Sequence, residues 1–250
     1  MRPQVVFQAC ILAFATIAMG MDLPACAQAE ETERESWTER YNNEESNDLG
    51  LWTQSVINYN RGKWMAELDI NPRLQYRMSR LNEFHLRTFL GYRPRPWLGT
   101  WLGCYAYAPV LEPSVVNETR LVQQVAVEKP IKRFATSVRA RLEQRFIAHN
   151  NDQTSWRFRI MPRVNYFIDE KEALYVFLAD ELFVNLNTIS NSIRHGIGQN
   201  RLYAGVGFKL TKHSRMEVAY LNQWIHRRYH VNDQPNRFNH NIYLNLITTF

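Results

Sequence analysis

From residue 49 to the C-terminus, apolar and polar side chains alternate with a period of two. Trp64, Ala66, Leu68, Ile70, Pro72, Leu74 and Tyr76 interleave with Met65, Glu67, Asp69, Asn71, Arg73, Gln75 and Arg77. Trp156, Phe158, Ile160, Pro162, Val164 and Tyr166 interleave with Arg157, Arg159, Met161, Arg163 and Asn165. Phe134, Val138, Ala140, Leu142 and Phe146 stand against Arg139, Arg141, Glu143 and Arg145. Successive side chains of a strand point to opposite faces, so each segment has one apolar and one charged face. The pattern predicts strands at about 49–60, 63–77, 82–93, 97–108, 117–129, 133–147, 154–168, 173–186, 199–211, 214–228 and 238–250. These run about 11 to 15 residues, longer than the usual globular strand and long enough to cross a bilayer at a tilt.

The connections alternate in length. Tyr59–Lys63, Arg93–Trp97, Glu128–Arg133, Asp169–Glu172 and Thr211–Ser214 are short. Ala108–Val116, Ile147–Ser155, Asn187–Gly198 and Arg228–Arg237 are longer and polar, with Met78–Leu81 the short exception on that side. Short turns at one rim and long loops at the other are expected of an up-and-down transmembrane β-barrel. The aromatics Trp52, Trp64, Tyr76, Trp97, Trp156 and Tyr166 fall near strand ends, where membrane interfaces favour them. Eleven strands are an odd number, whereas bacterial single-chain barrels are even. Twelve are therefore expected, the twelfth from Ser36–Asn42, with ten as the alternative. In the 173–186 strand an inward Glu181 leaves Asp180 facing lipid, which calls for a bulge nearby or a place above the membrane.

The first residues do not belong to this pattern. Arg2 precedes an apolar run from Val5 to Met19, too short to span a bilayer, followed by Ala27-Gln28-Ala29. A positive start, a short apolar run and a small-residue exit read as a secretory signal peptide cleaved after Ala29. The alternative is lipoprotein processing at Cys26. Cys104 is then the one cysteine of the mature chain, an inert strand thiol between apolar neighbours.

Charge sharpens the division. The chain has 250 residues, Lys+Arg 30 against Asp+Glu 24, and a net charge of +6. Residues 30–48 carry eight acids and two arginines, a balance of −6, so a body of +12 hides behind an acidic leader. A leader of this composition is expected to be solvated, and its charge could occlude a basic lumen. The six lysines (Lys63, Lys129, Lys132, Lys171, Lys209 and Lys212) all fall in or beside the short connections. Arginines instead populate the strand faces, as suits a guanidinium that tolerates ion-paired interiors.

If the apolar faces meet lipid, the charged faces line a lumen. The inward arginines are then Arg73, Arg77, Arg87, Arg93, Arg120, Arg139, Arg141, Arg145, Arg157, Arg159, Arg163, Arg201 and Arg215. The inward acids are Glu67, Asp69, Glu83, Glu118, Glu128, Glu143, Glu181 and Glu217. Such a lumen is either filled by Arg–carboxylate pairs or open as a narrow anion-preferring channel. The expected network centres on Glu118, Arg120, Arg139, Arg141, Glu143, Arg145, Arg157, Arg159, Arg163, Glu181 and Arg201.

Five segments, in order, carry a resemblance. They are Glu118-Thr-Arg120-Leu-Val-Gln123-Gln124, Arg139-Ala-Arg141-Leu-Glu143-Gln-Arg145-Phe146, Trp156-Arg157-Phe-Arg159, Asp180-Glu181-Leu-Phe183, and Asn200-Arg201-Leu-Tyr203-Ala-Gly205-Val-Gly207. Across roughly residues 49 to 250 the chain resembles the uncharacterised bacterial outer-membrane barrel family catalogued as domain of unknown function 2490. The resemblance implies a barrel and no established activity. The long acidic leader departs from it. The last strand ends Asn241-Ile-Tyr-Leu-Asn-Leu-Ile-Thr-Thr-Phe250 with Ile242, Leu244, Leu246 and Phe250 on one face, which resembles the C-terminal signal read by the bacterial barrel-assembly machinery.

Outer-membrane lipid, the assembly machinery and small anionic solutes are the expected partners, in a Gram-negative outer membrane. Nucleic acid is not, because the basic faces would point into a lumen. No cofactor or metal is expected. The seven histidines read as loop residues near the outer rim, and no Ser–His–carboxylate spacing stands out. The alternatives are a lipid-modifying enzyme in the barrel wall and a soluble periplasmic β-barrel binding protein, which would also alternate.

Overall fold

The computed structural model describes residues 47–75, 77–110, 118–147, 153–189, 193–226 and 237–250. The signal peptide, its cleavage site, the acidic leader up to residue 46 and the Ser36–Asn42 candidate strand lie outside the described residues. So does Tyr76.

Eleven strands occur among the described residues. They are β1 (Asn47–Arg61), β2 (Trp64–Gln75), β3 (Arg80–Arg95), β4 (Leu98–Pro109), β5 (Glu118–Ile131), β6 (Phe134–Ile147), β7 (Thr154–Phe167), β8 (Leu174–Asn185), β9 (Gly196–Lys209), β10 (Ser214–Ile225) and β11 (Arg237–Thr249). They are the eleven strands that the alternation predicts, each within a few residues. The expectation of twelve from parity differs by one. The reason is the closure: β1 lies beside β11 in parallel, from Asn47↔Phe238 to Asn58↔Thr249, and all other neighbours are antiparallel. A parallel pair leaves no open edge, so an odd count closes the barrel. Its consequence is that Asn47 opens β1 at the rim of the long connections, while Phe250 ends at the opposite rim. There the Phe250 amide donates to the Asn58 carbonyl and its carbonyl accepts from Asn60.

Local chemistry sets the turns. The β1–β2 hairpin needs positive φ at Gly62, and the β5–β6 hairpin places Lys132 there. In the β7–β8 turn the Asp169 carboxylate accepts from the backbone N–H of Leu174 at 2.7 Å and of Ala173 at 3.1 Å. These bonds, that of Leu174 foremost, hold the Asp169 pKa below the ordinary aspartate value. The β2–β3 connection is the tight one at the other rim and carries positive φ at Arg77 and Met78. All six lysines lie at the short-connection rim.

The outer wall is apolar. Leu90 is 61% exposed, and Leu102, Val125, Val138, Leu178, Leu202 and Ile242 face out with it. Exposed Tyr59, Trp64, Tyr92, Trp97, Phe134, Tyr166 and Phe250 ring the short-connection end. Phe146, Trp156 and Phe238 stand at the other end. Trp156 and Tyr166 on β7 are ten residues apart, about 33 Å along the strand or about 25 Å along a tilted barrel axis. That matches the height of the apolar band of outer-membrane barrels. Cys104 lies on the outer face of β4, half-buried. Asp180 is outward, as expected from an inward Glu181. It accepts a 2.6 Å bond from the Asn200 side chain, and a bulge follows between Phe183 and Val184.

Candidate functional site

The inner face is filled by charge and aromatic rings. The period of two turns every second residue of each strand inward, and cross-strand register then sets opposite charges face to face. Glu143 lies opposite Arg157, Glu181 opposite Arg201, Glu83 opposite Arg73 and Asp69 opposite Arg87.

Ten of the expected network residues come together with Arg141 beside nine linked ones, and the links can be followed from the long-connection rim downward. Glu118 accepts from Arg120 and Arg145, each through two nitrogens, at 2.5–3.1 Å. Arg120 reaches Glu143 at 3.6 Å. Glu143 is fully buried and also holds Arg157, through two nitrogens at 2.9 and 2.5 Å, and Arg159 at 2.5 Å. Arg159 bridges on to Glu181 at 2.6 Å, which Arg139 meets at 3.1 Å and Arg201 at 3.6 Å. Bidentate pairing of planar guanidinium with carboxylate orients both partners. This single chain of ion pairs joins six arginines through three glutamates, a balance of +3. Arg141 lies among them, 3% exposed, donating to Gln124 Oε1 at 2.5 Å over the Phe89 ring, with no carboxylate of the described residues within ion-pair distance. Arg163 stands apart. It crosses the lumen from β7 to Glu217 on β10, at 2.5 and 3.3 Å, where Tyr175 at 2.7 Å and Asn245 at 3.1 Å complete the carboxylate's shell.

The opposite wall is balanced. Arg87 pairs with Asp69 at 2.9 Å and Arg73 with Glu83 at 3.0 Å. The Gln54 side chain donates to Asp69 at 2.6 Å and accepts from Tyr243.

Four expectations need correction. Trp52 is not an interfacial residue. It is 2% exposed inside the lumen, with the Arg73 guanidinium 3.7 Å and that of Arg201 4.8 Å from its ring. β1 alternates weakly, so its inward face was the least legible. His85 is not a loop histidine: it is buried in β3, its Nε2 2.8 Å from Glu83 and its Nδ1 bonded to the Tyr105 hydroxyl. His213 sits at the short-connection rim, away from the outer one, and His240 is on β11 near the outer rim, in a strand and not a loop; His149 and His230 lie outside the described residues. Arg77 is exposed in the β2–β3 turn, because the register shifts between Arg73 and Leu74. Glu128 is exposed at the short-connection rim.

Sequence reasoning also missed how aromatic the interior is. Arg120 lies over Tyr105 at 4.0 Å, Arg159 over Phe183 at 4.4 Å and Arg163 over Phe177 at 4.2 Å. Cation–π contact supplements ion pairing where carboxylates are too few. Gly91 and Gly99 admit the inward Trp101 ring, which a Cβ at either position would strike. A cavity of about 220 Å³ remains in the lumen beside Trp52, Glu67, Asp69, Arg139, Arg159 and Arg201. Among the described residues no group of His, Cys, Asp and Glu is arranged to hold a metal ion.

Two solved structures are similar in outline. The NanC porin aligns at 10% identity and a TM-score of 0.47, covering 76% of this chain and 93% of that one. The KdgM porin aligns at 8% identity and a TM-score of 0.42, covering 70% and 91%. No curated protein matches the chain. The model of the family described as Protein of unknown function (DUF2490) matches residues 49–234, and the chain belongs to that family.

Proposed function

We propose that the protein is an outer-membrane β-barrel whose constricted lumen prefers small anions. The apolar band and its aromatic rings support the membrane location, and the export signal expected at the N-terminus agrees with it. The observation that carries the anion preference is the linked network of six arginines on three glutamates. A desolvated excess of guanidinium is costly without counter-charge, and rings of arginine favour anions in pores. The lumen is narrow because long side chains fill it, so flux is expected to be small. The test is efflux from vesicles reconstituted with the refolded chain. Chloride release outpacing potassium release supports the reading, and faster potassium release overturns it.

The bond from Arg163 to Glu217 across the lumen favours a second reading, a permanently filled barrel. Vesicles that release neither ion would select it over the channel. Among the described residues no constellation favours a lipid-modifying enzyme over these two readings.

A further inference from the structure

The outer wall carries one residue that neither the lumen nor the surrounding lipid accounts for. Among the described residues Asp180 is the one Asp, Glu, Lys or Arg on the outward face of the apolar band. It lies six residues into β8, about 20 Å along the strand or about 15 Å along a tilted barrel axis from the short-connection rim. Val176, Leu178, Leu182 and Val184 share its face and bracket it on both sides. A charged side chain on the lipid face at this depth is unfavourable, and ionisable residues in a membrane wall mark the places where something shields them. Asn200 satisfies one carboxylate oxygen at 2.6 Å, and the other has no hydrogen-bond partner among the described residues.

We propose that the wall of β8 to β10 is the contact between two copies of this chain, related by a two-fold axis along the membrane normal in front of β9. The inference rests on the membrane location of the barrel and not on the sign of its lumen. Whatever covers Asp180 must itself be embedded in the bilayer and must bring a hydrogen-bond donor to its depth. A second copy meets both conditions. β8 and β10 flank β9, so across such an axis β8 of each copy faces β10 of the other. Tyr220 lies six residues into β10, which starts from the same rim as β8, and therefore stands at the depth of Asp180. It is 49% exposed on the outer wall. Its hydroxyl is bonded to His240 Nδ1, and the two rings stack at 5.9 Å. In the tautomer with hydrogen on Nδ1, His240 donates to the hydroxyl oxygen and leaves the hydroxyl proton to point outward. Asn222, one pleat nearer the outer rim, shares that face, and its side chain has no partner among the described residues. The acceptor thus lies on one side of β9 and the donors on the other, which makes the wall complementary to itself, as an isologous contact requires.

The experiment is sedimentation equilibrium of the refolded full chain in density-matched detergent over a range of protein concentrations. A reversible monomer–dimer equilibrium is expected. Asp180→Leu should raise its dissociation constant at least tenfold, and Tyr220→Phe several-fold. Leu102→Ala, outward on β4 at the far side of the barrel, should leave it unchanged. Heat-modifiable migration confirms that each variant is folded. Asp180→Leu also makes the lipid face more apolar, so a merely structural role would not weaken association while the monomer stays folded. A chain that is monomeric at every concentration overturns the interface. So does a dimer that neither Asp180→Leu nor Tyr220→Phe weakens, or one that Leu102→Ala weakens as much as Asp180→Leu. A monomer that releases chloride faster than potassium removes the interface and leaves the anion-preferring lumen. A dimer with the expected response that releases potassium faster does the reverse.

Discussion

The two walls of the lumen use the same residue types to different ends. On β2 and β3 the two buried arginines each have their own carboxylate: Arg73 with Glu83 and Arg87 with Asp69. Across β5 to β9 three glutamates serve six arginines, and Arg141 has none among the described residues. One wall is neutral scaffolding and the other a strip of positive charge. A carboxylate on the first wall stabilises one partner. A carboxylate on the second offsets the mutual repulsion of two or three cations. The basic character of the body is therefore local, and it lies on one side of the lumen.

The comparison breaks first at Glu143. Glu143→Gln removes a fully buried charge shared by Arg120, Arg157 and Arg159. It should lower folding stability by about 3–5 kcal/mol, the range for one partner lost from a buried ion pair, read from urea unfolding in detergent. Trp52→Ala comes next. It should cost about 3 kcal/mol and raise ion efflux from reconstituted vesicles, because the ring fills the lumen between Arg73 and Arg201. Glu83→Gln, on the balanced wall and partly open to water, should cost about 1.5 kcal/mol in the same unfolding assay. Equal losses for Glu83→Gln and Glu143→Gln would mean that the walls do not differ.

The smallest effect belongs to the turn outside both walls. The depressed Asp169 pKa contributes stability that is present above the unfolded aspartate value, about 3.9, and is lost as pH falls through the folded value. Asp169→Asn should lower the urea midpoint slightly at neutral pH and not at pH 2. An equal shift at both pH values would mean that the carboxylate charge is not what the turn uses.

Most of the barrel was legible in the sequence because a period of two is a local signal. Arg157, Arg159 and Arg163 could be turned inward by counting from Trp156, and the lysines marked one rim. The ion pairs were legible as a class, since opposite charges recur on inward faces, but not as partners. Partners depend on register, which bulges alter: the shift after Arg73 put Arg77 into a turn. Trp52 was misread because β1 has mixed faces, and His85 because a histidine carries no strand signal of its own. The strand number was misjudged by one because parity is a tendency of a class of proteins, whereas closure is a matter of hydrogen bonds between β1 and β11.

The central claim concerns the sign of the lumen, and the zero-current potential reads that sign directly. Refolded full-length chain in a planar bilayer would be held under a tenfold gradient of potassium chloride. The account predicts a potential displaced toward the chloride equilibrium value, with the displacement shrinking as ionic strength screens the arginines. A potential displaced toward the potassium value would contradict it.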